Sequence, residues 1–122
     1  MKKIVCLLVL LIFFAVTQIA FAHPPSHIII TFDASTKMLH VVIVHNVSNP
    51  LGHYIKKVDV ALNGKGIIEH SIFRQDNNES QAVSYLIPDV KDGDVLSVEG
   101  YCSISGILKK ETTVKIETGI TP

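Results

Sequence analysis

The feature that most constrains the fold is a regular succession of short strand-like segments separated by turn signals, without a sustained helical period. Residues 54–62 alternate apolar and polar side chains, as a half-buried strand does. Asn63 and Gly64 follow, a dipeptide typical of a β-hairpin turn. Residues 38–45 are apolar on both faces, which predicts a central strand. In all, strands are predicted at residues 27–32, 38–45, 54–62, 66–73, 81–87, 95–101 and 107–117.

Seven strands with turn signals at regular spacing predict an all-β fold, an immunoglobulin-like antiparallel β-sandwich. A β-barrel is the alternative. The sequence has no tryptophan, so the core tryptophan of antibody domains is absent. The chain has 122 residues, a length that suits one domain and not two.

The first 22 residues have the pattern of a secretory signal peptide. Met1–Lys3 is basic, residues 4–16 are almost wholly apolar, and Ala20–Ala22 fits a small-residue cleavage site. We therefore predict that residues 1–22 are removed and that residues 23–122 form a periplasmic or secreted domain. A single transmembrane anchor is the alternative interpretation of the apolar run.

The charge pattern argues against several classes of partner. The formal net charge is zero, and no basic stripe suggests nucleic acid binding. No polybasic segment follows residue 22, so we expect no stable membrane insertion after cleavage. An exposed edge strand at residues 107–117 can pair with a second copy, which makes a homo-oligomer an open alternative.

Cysteine and histidine are the residues that carry chemistry in this sequence. Cys6 lies within the predicted signal, so Cys102 is the only cysteine of the predicted domain and has no intrachain disulfide partner. Cys102 can simply be a small buried apolar residue. It can also act with a histidine such as His53, because both are predicted in loops beside strands and both are good ligands for iron, copper and zinc.

No common enzyme motif is found in the sequence. The Gly-x-Ser-x-Gly elbow, the phosphate-binding loop and the dinucleotide fingerprint are all missing. A nucleophilic Cys–His pair is conceivable, but such cysteines commonly begin a helix and no helix is predicted. A metal site is therefore the favoured interpretation.

Three segments, in order along the chain, resemble the ferrous-iron domain of the superoxide reductases, the desulfoferrodoxin and neelaredoxin family. His23–Pro25 resembles the early His-Val-Pro of that family, and His53–Ile55 resembles its His-Tyr-Ile strand start. Residues 101–106, Tyr-Cys-Ser-Ile-Ser-Gly, resemble its Tyr-Cys-Asn-x-His-Gly loop. The resemblance covers residues 23–122 and implies an immunoglobulin-like sandwich, in agreement with the strand pattern.

The family holds iron with four histidine nitrogens and one axial cysteine sulfur. Two of its histidine positions fall on Asn49 and Ser105 in this chain, so the implied ligand set is incomplete. His45, at the end of the second predicted strand, can turn toward the same rim. The predicted metal ligands are His23, His45, His53 and Cys102, with ferrous iron as the expected ion.

Copper is the alternative ion. Cleavage after Ala22 would make His23 the first residue, and its amine and imidazole could then bind one ion together. This arrangement favours copper, which leads the divalent affinity order. His27, His40 and His70 lie within predicted strands, where a structural role is expected.

The sequence thus supports two functional hypotheses. The first is an exported superoxide-reductase-like oxidoreductase, in which a reduced iron ion acts on superoxide and receives its electron from a donor protein. The second is a non-catalytic sandwich domain that binds or carries a metal such as copper, or that serves as an interaction module.

Overall fold

The structure is a computed structural model and describes residues 2–6 and 23–117. Residues 2–6 form a short helical segment. Most of the predicted signal peptide, residues 7–22, lies outside the described residues. Among the residues that are described, no helix is long and apolar enough to cross a membrane.

The described chain forms two antiparallel β-sheets, as the strand pattern predicted. The first has the order β1–β2–β5 and the second the order β4–β3–β6–β7. Seven antiparallel strands divided between a three-stranded and a four-stranded sheet are typical of an immunoglobulin-like sandwich. The strands are β1 (His27–Asp33), β2 (Met38–Val44), β3 (Ile55–Leu62), β4 (Lys65–Ser71), β5 (Ser80–Leu86), β6 (Val95–Cys102) and β7 (Ile107–Thr113).

Local sequence explains two of these elements directly. Asn63 and Gly64 have φ values of 51° and 81°, so they form the two-residue turn between β3 and β4. Positive φ at both central positions suits the twist of the paired strands. β2 lies between β1 and β5, so the predicted central strand is confirmed. Leu39, Val41 and Ile43 face the core, and the side chains between them are partly or fully exposed.

The core fills the space between the two sheets. Its side chains come from alternate positions of the strands, since successive side chains of a strand point to opposite faces. Each sheet contributes branched aliphatic residues that are almost fully buried, including Ile28, Leu39, Val41, Ile43, Val58, Val60, Leu96 and Val98.

The last strand is shorter than predicted. β7 ends at Thr113, whereas the sequence predicted a strand to Glu117. Val114 is buried as expected, but its backbone bonds to the turn before β6: its N–H donates to the Asp94 carbonyl, and its carbonyl accepts from the Gly93 N–H. The chain leaves the β6 ladder because these turn residues offer alternative partners.

The strand register brings the ends of both sheets to one end of the sandwich. In the first sheet, the start of β1 pairs with the end of β2 through His27 and Val44. In the second sheet, the start of β3 pairs with the end of β6 through Ile55 and Cys102. The segments that flank these four positions contain the candidate site.

Candidate metal site

All four predicted ligands lie at this end of the sandwich. His23 precedes β1 and His45 directly follows β2, so these two come from the first sheet. His53 precedes β3 and Cys102 is the last residue of β6, so these two come from the second sheet. The structure therefore assembles the group from both layers of the sandwich.

The three histidines form a nearly equilateral triangle of imidazole rings. Ring centroids are 4.9 Å apart for His23 and His45, 4.9 Å for His23 and His53, and 4.7 Å for His45 and His53. One ligand atom from each residue lies within 4.8 Å of the other two. Two nitrogens on one ion, at about 2.0–2.1 Å each, are about 3–4 Å apart. This cluster can bind a metal ion after a small contraction.

Cys102 lies beside His53 but is not among the residues whose ligand atoms all lie within 4.8 Å of one another. The Nε2 atom of His53 lies 3.2 Å from the Sγ atom of Cys102, and the Cys102 residue is only 2% exposed. A nitrogen at about 2.05 Å and a sulfur at about 2.3 Å from one ion are about 3.1 Å apart at a right angle and about 3.6 Å apart at a tetrahedral angle. The observed spacing fits two neighbouring ligands of one ion.

A compact turn delivers His53. The carbonyl of Asn49 accepts hydrogen bonds from the N–H groups of Gly52 (3.1 Å) and His53 (2.9 Å). The side-chain oxygen of Asn49 accepts from the Leu51 N–H at 3.1 Å. Asn49 thus stabilises the turn with both its carbonyl oxygen and its side-chain oxygen. The Asn49 side chain is therefore occupied within the turn, and the imidazole of His45 lies beside His53.

The strands that bear His53 and Cys102 are joined irregularly. Ile55 pairs with Cys102 and Lys57 pairs with Tyr101, so β3 has one extra residue at this point. Such a bulge re-aims the chain beside it. Just before it, the Tyr54 N–H donates to the Ser103 hydroxyl at 3.0 Å, and the Ser103 N–H donates to the Tyr54 carbonyl at 2.8 Å. These bonds tie the loops of the two ligands together.

Close packing of a glycine against a proline positions His23. Gly106 has a φ of 100°, and a Cβ placed on it would lie 2.7 Å from the Pro24 Cα. The Gly106 carbonyl accepts from the Cys102 N–H at 2.9 Å. The loop after Cys102 therefore forms a seat for the residue next to His23, and only glycine fits there.

Burial and the two neighbouring rings favour the neutral form of His53. Burial lowers the pKa of His53 below its usual 6.5, and the neighbouring His45 and His23 lower this pKa further. Neutral imidazole is the form that donates a lone pair to a metal.

A residue that the sequence did not single out supports His45. Residues 74–80 are polar in sequence, as in a solvated turn, yet Gln75 in this segment is fully buried, as is His45. The two side chains are hydrogen bonded, with 2.8 Å between His45 Nδ1 and Gln75 Oε1. The composition of the segment is polar, so no sequence signal distinguishes Gln75 from its exposed neighbours.

The remaining histidines lie outside the triangle. The Nδ1 atom of His40 is 2.8 Å from the Ser84 hydroxyl, and the Nδ1 atom of His70 is 2.8 Å from the Tyr85 hydroxyl. His27 is exposed on β1. His40 and His70 thus make side-chain hydrogen bonds within the sandwich, whereas His27 is an exposed residue of β1.

No protein-family model matches this chain, and no curated protein matches it. The family resemblance described above therefore rests on the quoted residues alone.

Proposed function

We propose that this chain is an exported, superoxide-reductase-like iron-binding protein. The observation that carries the proposal is the combination of three clustered imidazoles with the buried Cys102 thiol, 3.2 Å from His53 Nε2. This donor set resembles that of the desulfoferrodoxin family with one histidine fewer: His45 takes the place of the histidine expected at position 49, and position 105 is a serine.

The residues fit a redox-active transition metal. Imidazole suits iron and copper, and thiolate is a soft ligand that the same metals bind. When bound, ferrous iron supplies one electron, which together with two protons converts superoxide to hydrogen peroxide. A reduced electron-transfer protein is the proposed source of the electron that restores the ferrous state.

The chain's own residues set the conditions for this reaction. Cys102 is buried at the end of β6, so water has little access to its sulfur. His45 is fully buried, whereas His53 is only partly buried. A small anion therefore approaches from the rim at His53 and not through the core.

A single-turnover experiment tests the proposal. The full-length chain is expressed in a bacterial host, purified in its exported form, loaded anaerobically with Fe²⁺ and treated with one equivalent of potassium superoxide. We expect one hydrogen peroxide per iron, less dioxygen than superoxide releases in a protein-free control, and a thiolate-to-iron charge-transfer band in the oxidised protein. As much dioxygen as in that control, or more, would contradict the reductase assignment.

Two variants locate the reaction. Cys102→Ser should lose the charge-transfer band, because the sulfur ligand is removed. Ser105→Ala, in the same loop at an exposed position, should keep it. A wild-type protein that retains no iron after desalting would rule out the proposed site.

Metal carriage is the second candidate function, and copper is its alternative ion. The number of available metal ligands favours this candidate. The Asn49 side chain is hydrogen bonded within its own turn and Ser105 is exposed, so three imidazoles and one thiol are left to bind an ion. Four donors suffice to hold an ion that is transferred and not cycled. Tight Cu⁺ binding without reaction of the iron form with superoxide would favour carriage.

A further inference from the structure

We infer that Gln75 is a positioning residue of the metal site, which holds His45 in the one tautomer that leaves Nε2 free for an ion. The inference rests on the proposed function, because it assigns a role within the same site. Three hydrogen bonds of the Gln75 side chain carry it.

The orientation of the Gln75 amide is determined by its neighbours. Its Nε2 atom lies 2.7 Å from the His45 carbonyl oxygen and 2.9 Å from the Asn77 carbonyl oxygen. Carbonyl oxygens only accept hydrogen bonds, so the amide NH₂ group must face them. The opposite orientation would bring the amide oxygen against both carbonyls and would leave the amide oxygen and the buried His45 carbonyl without this hydrogen bond.

The tautomer of His45 follows from this orientation. Gln75 Oε1 is an acceptor and lies 2.8 Å from His45 Nδ1, so Nδ1 must carry the proton. In the neutral ring the lone pair is then on Nε2. This atom lies on the side of the His23 segment, 3.3 Å from the His23 carbonyl oxygen.

The contact at Nε2 is itself unusual. A bare ring nitrogen and a carbonyl oxygen are both acceptors, and at 3.3 Å they repel each other unless a cation or a proton lies nearby. A second ring proton or a metal ion on Nε2 would remove this repulsion, and only the ion is compatible with the single tautomer inferred here. Metal-bound histidines commonly donate their other ring N–H to an oxygen that fixes the ring orientation. Gln75 Oε1 supplies that oxygen here.

Gln75 also connects the two ligand-bearing segments. Its backbone N–H donates to the Pro50 carbonyl at 3.1 Å, in the turn that leads to His53. Its side chain donates to the His45 carbonyl, and the His45 N–H donates to the Glu79 carbonyl at 2.8 Å. Residues 75–79 thus brace the end of β2 and the approach to β3 together.

The chain offers a matched control. Gln81 is also buried, 6% exposed, and its side chain also takes part in three hydrogen bonds. These bonds are to the Asp76 N–H, the Asp76 carboxylate and the Ala82 carbonyl, and none involves His45. Gln75→Met and Gln81→Met therefore remove equal numbers of bonds from one region of the fold.

Two measurements test the inference. In metal-free wild type at neutral pH, ¹⁵N-NMR should show His45 protonated on Nδ1 and bare on Nε2. In titrations with Co²⁺, Gln75→Met should lower affinity by about 10–100-fold, as loss of an outer-shell partner typically does. Gln81→Met should bind Co²⁺ as the wild type does.

The outcomes separate this inference from the proposed function. A His45 ring bare on Nδ1 or protonated on both nitrogens would overturn the inference, as would equal Co²⁺ affinities in the two variants. If Gln75→Met fails to fold, the wild-type tautomer still decides. If the wild type binds Co²⁺ and shows the expected tautomer but the iron form does not reduce superoxide, the proposed activity falls while the role of Gln75 stands.

Discussion

The Nε2 atom of His53 lies 3.2 Å from the Sγ atom of Cys102, although 49 positions separate the two residues in the chain. The antiparallel pairing of β3 with β6 produces this proximity, because Ile55 is opposite Cys102 at the end of the ladder. The contact is therefore a product of the sheet register and does not depend on a flexible loop finding its partner.

Removal of an imidazole from the triangle should weaken ion binding sharply. His53→Ala removes a partly buried ring without touching the hydrophobic core. We expect its Co²⁺ affinity to fall by more than the about 10–100-fold that is typical of outer-shell changes. His27→Ala, an exposed histidine on β1, is the control and should bind normally. Equal affinities, measured by calorimetry, would mean that the ion binds elsewhere.

Substitution of Gly106 should affect both stability and ion binding. Gly106→Ala places a Cβ 2.7 Å from the Pro24 Cα and forces a side chain into a φ of 100°, so the His23 segment must move away. Strain of this kind costs about 1–3 kcal/mol of unfolding free energy. Urea denaturation and Co²⁺ titration of the same preparation measure the two effects.

The Gly64→Ala variant is the control that separates the effect on stability from the effect on Co²⁺ binding. Gly64 has a φ of 81° but nothing within 4 Å of the added Cβ, in the hairpin between β3 and β4. It should lose stability and keep its affinity for Co²⁺. An undiminished affinity in Gly106→Ala as well would show that the seat of Pro24 does not position His23.

Acid sensitivity should come partly from Asp94. Hydrogen bonds from the Asn63 side chain and the Lys91 N–H lower the pKa of Asp94 below its ordinary 3.8. The unfolded chain therefore takes up this proton first as the pH falls. Stabilisation by Asp94 is complete above about pH 3.8 and is lost as the pH falls through the lower folded-state pKa.

The Asp94→Asn variant tests this sign. It should be less stable than the wild type at neutral pH, and the difference should shrink in acid, because the wild type alone loses the stabilisation. Asp89→Asn, at an exposed position of the same turn, is the control. A difference that stays constant from neutral pH to acid would contradict the assigned pKa direction.

The predicted processing site has a direct test. If the signal peptide is removed after Ala22, mass spectrometry of the exported protein should show a chain that begins with His23. The free amine of His23 would then be available for the copper alternative described above. A mature chain that begins before His23 would remove that alternative and keep all three imidazoles, whereas one that begins after His23 would lose an imidazole of the cluster as well.

The sequence predicted secondary structure well where apolar and polar residues alternate regularly. Alternation in residues 54–62 and the Asn63–Gly64 turn predicted β3 and its hairpin, because periodicity reports which face is buried. Antiparallel pairing then explains why His53 and Cys102, predicted beside strand ends, lie together. Local patterns can indicate such positions without knowledge of the whole fold.

Burial of polar groups was less accessible from sequence. Gln75 lies in a segment as polar as a solvated turn, and only the packing of residues 75–79 over the end of β2 reveals that it is fully buried. The sequence also did not determine whether the His45 side chain points into the protein. His45 lies at the end of a strand, where the alternation of side chains no longer indicates which face is buried. Tertiary contacts decided both.

The division of the four donors between the two sheets has a consequence for the order of events in the life of the protein. Each sheet contributes only two of the four side chains, so the complete set of ligands is absent until the two sheets have packed together. An ion held by all four donors would therefore bind only after the sandwich has closed, and the compartment in which it closes would determine which ions compete. A bound ion would cross-link the two sheets, and its loss would first destabilise that end of the sandwich.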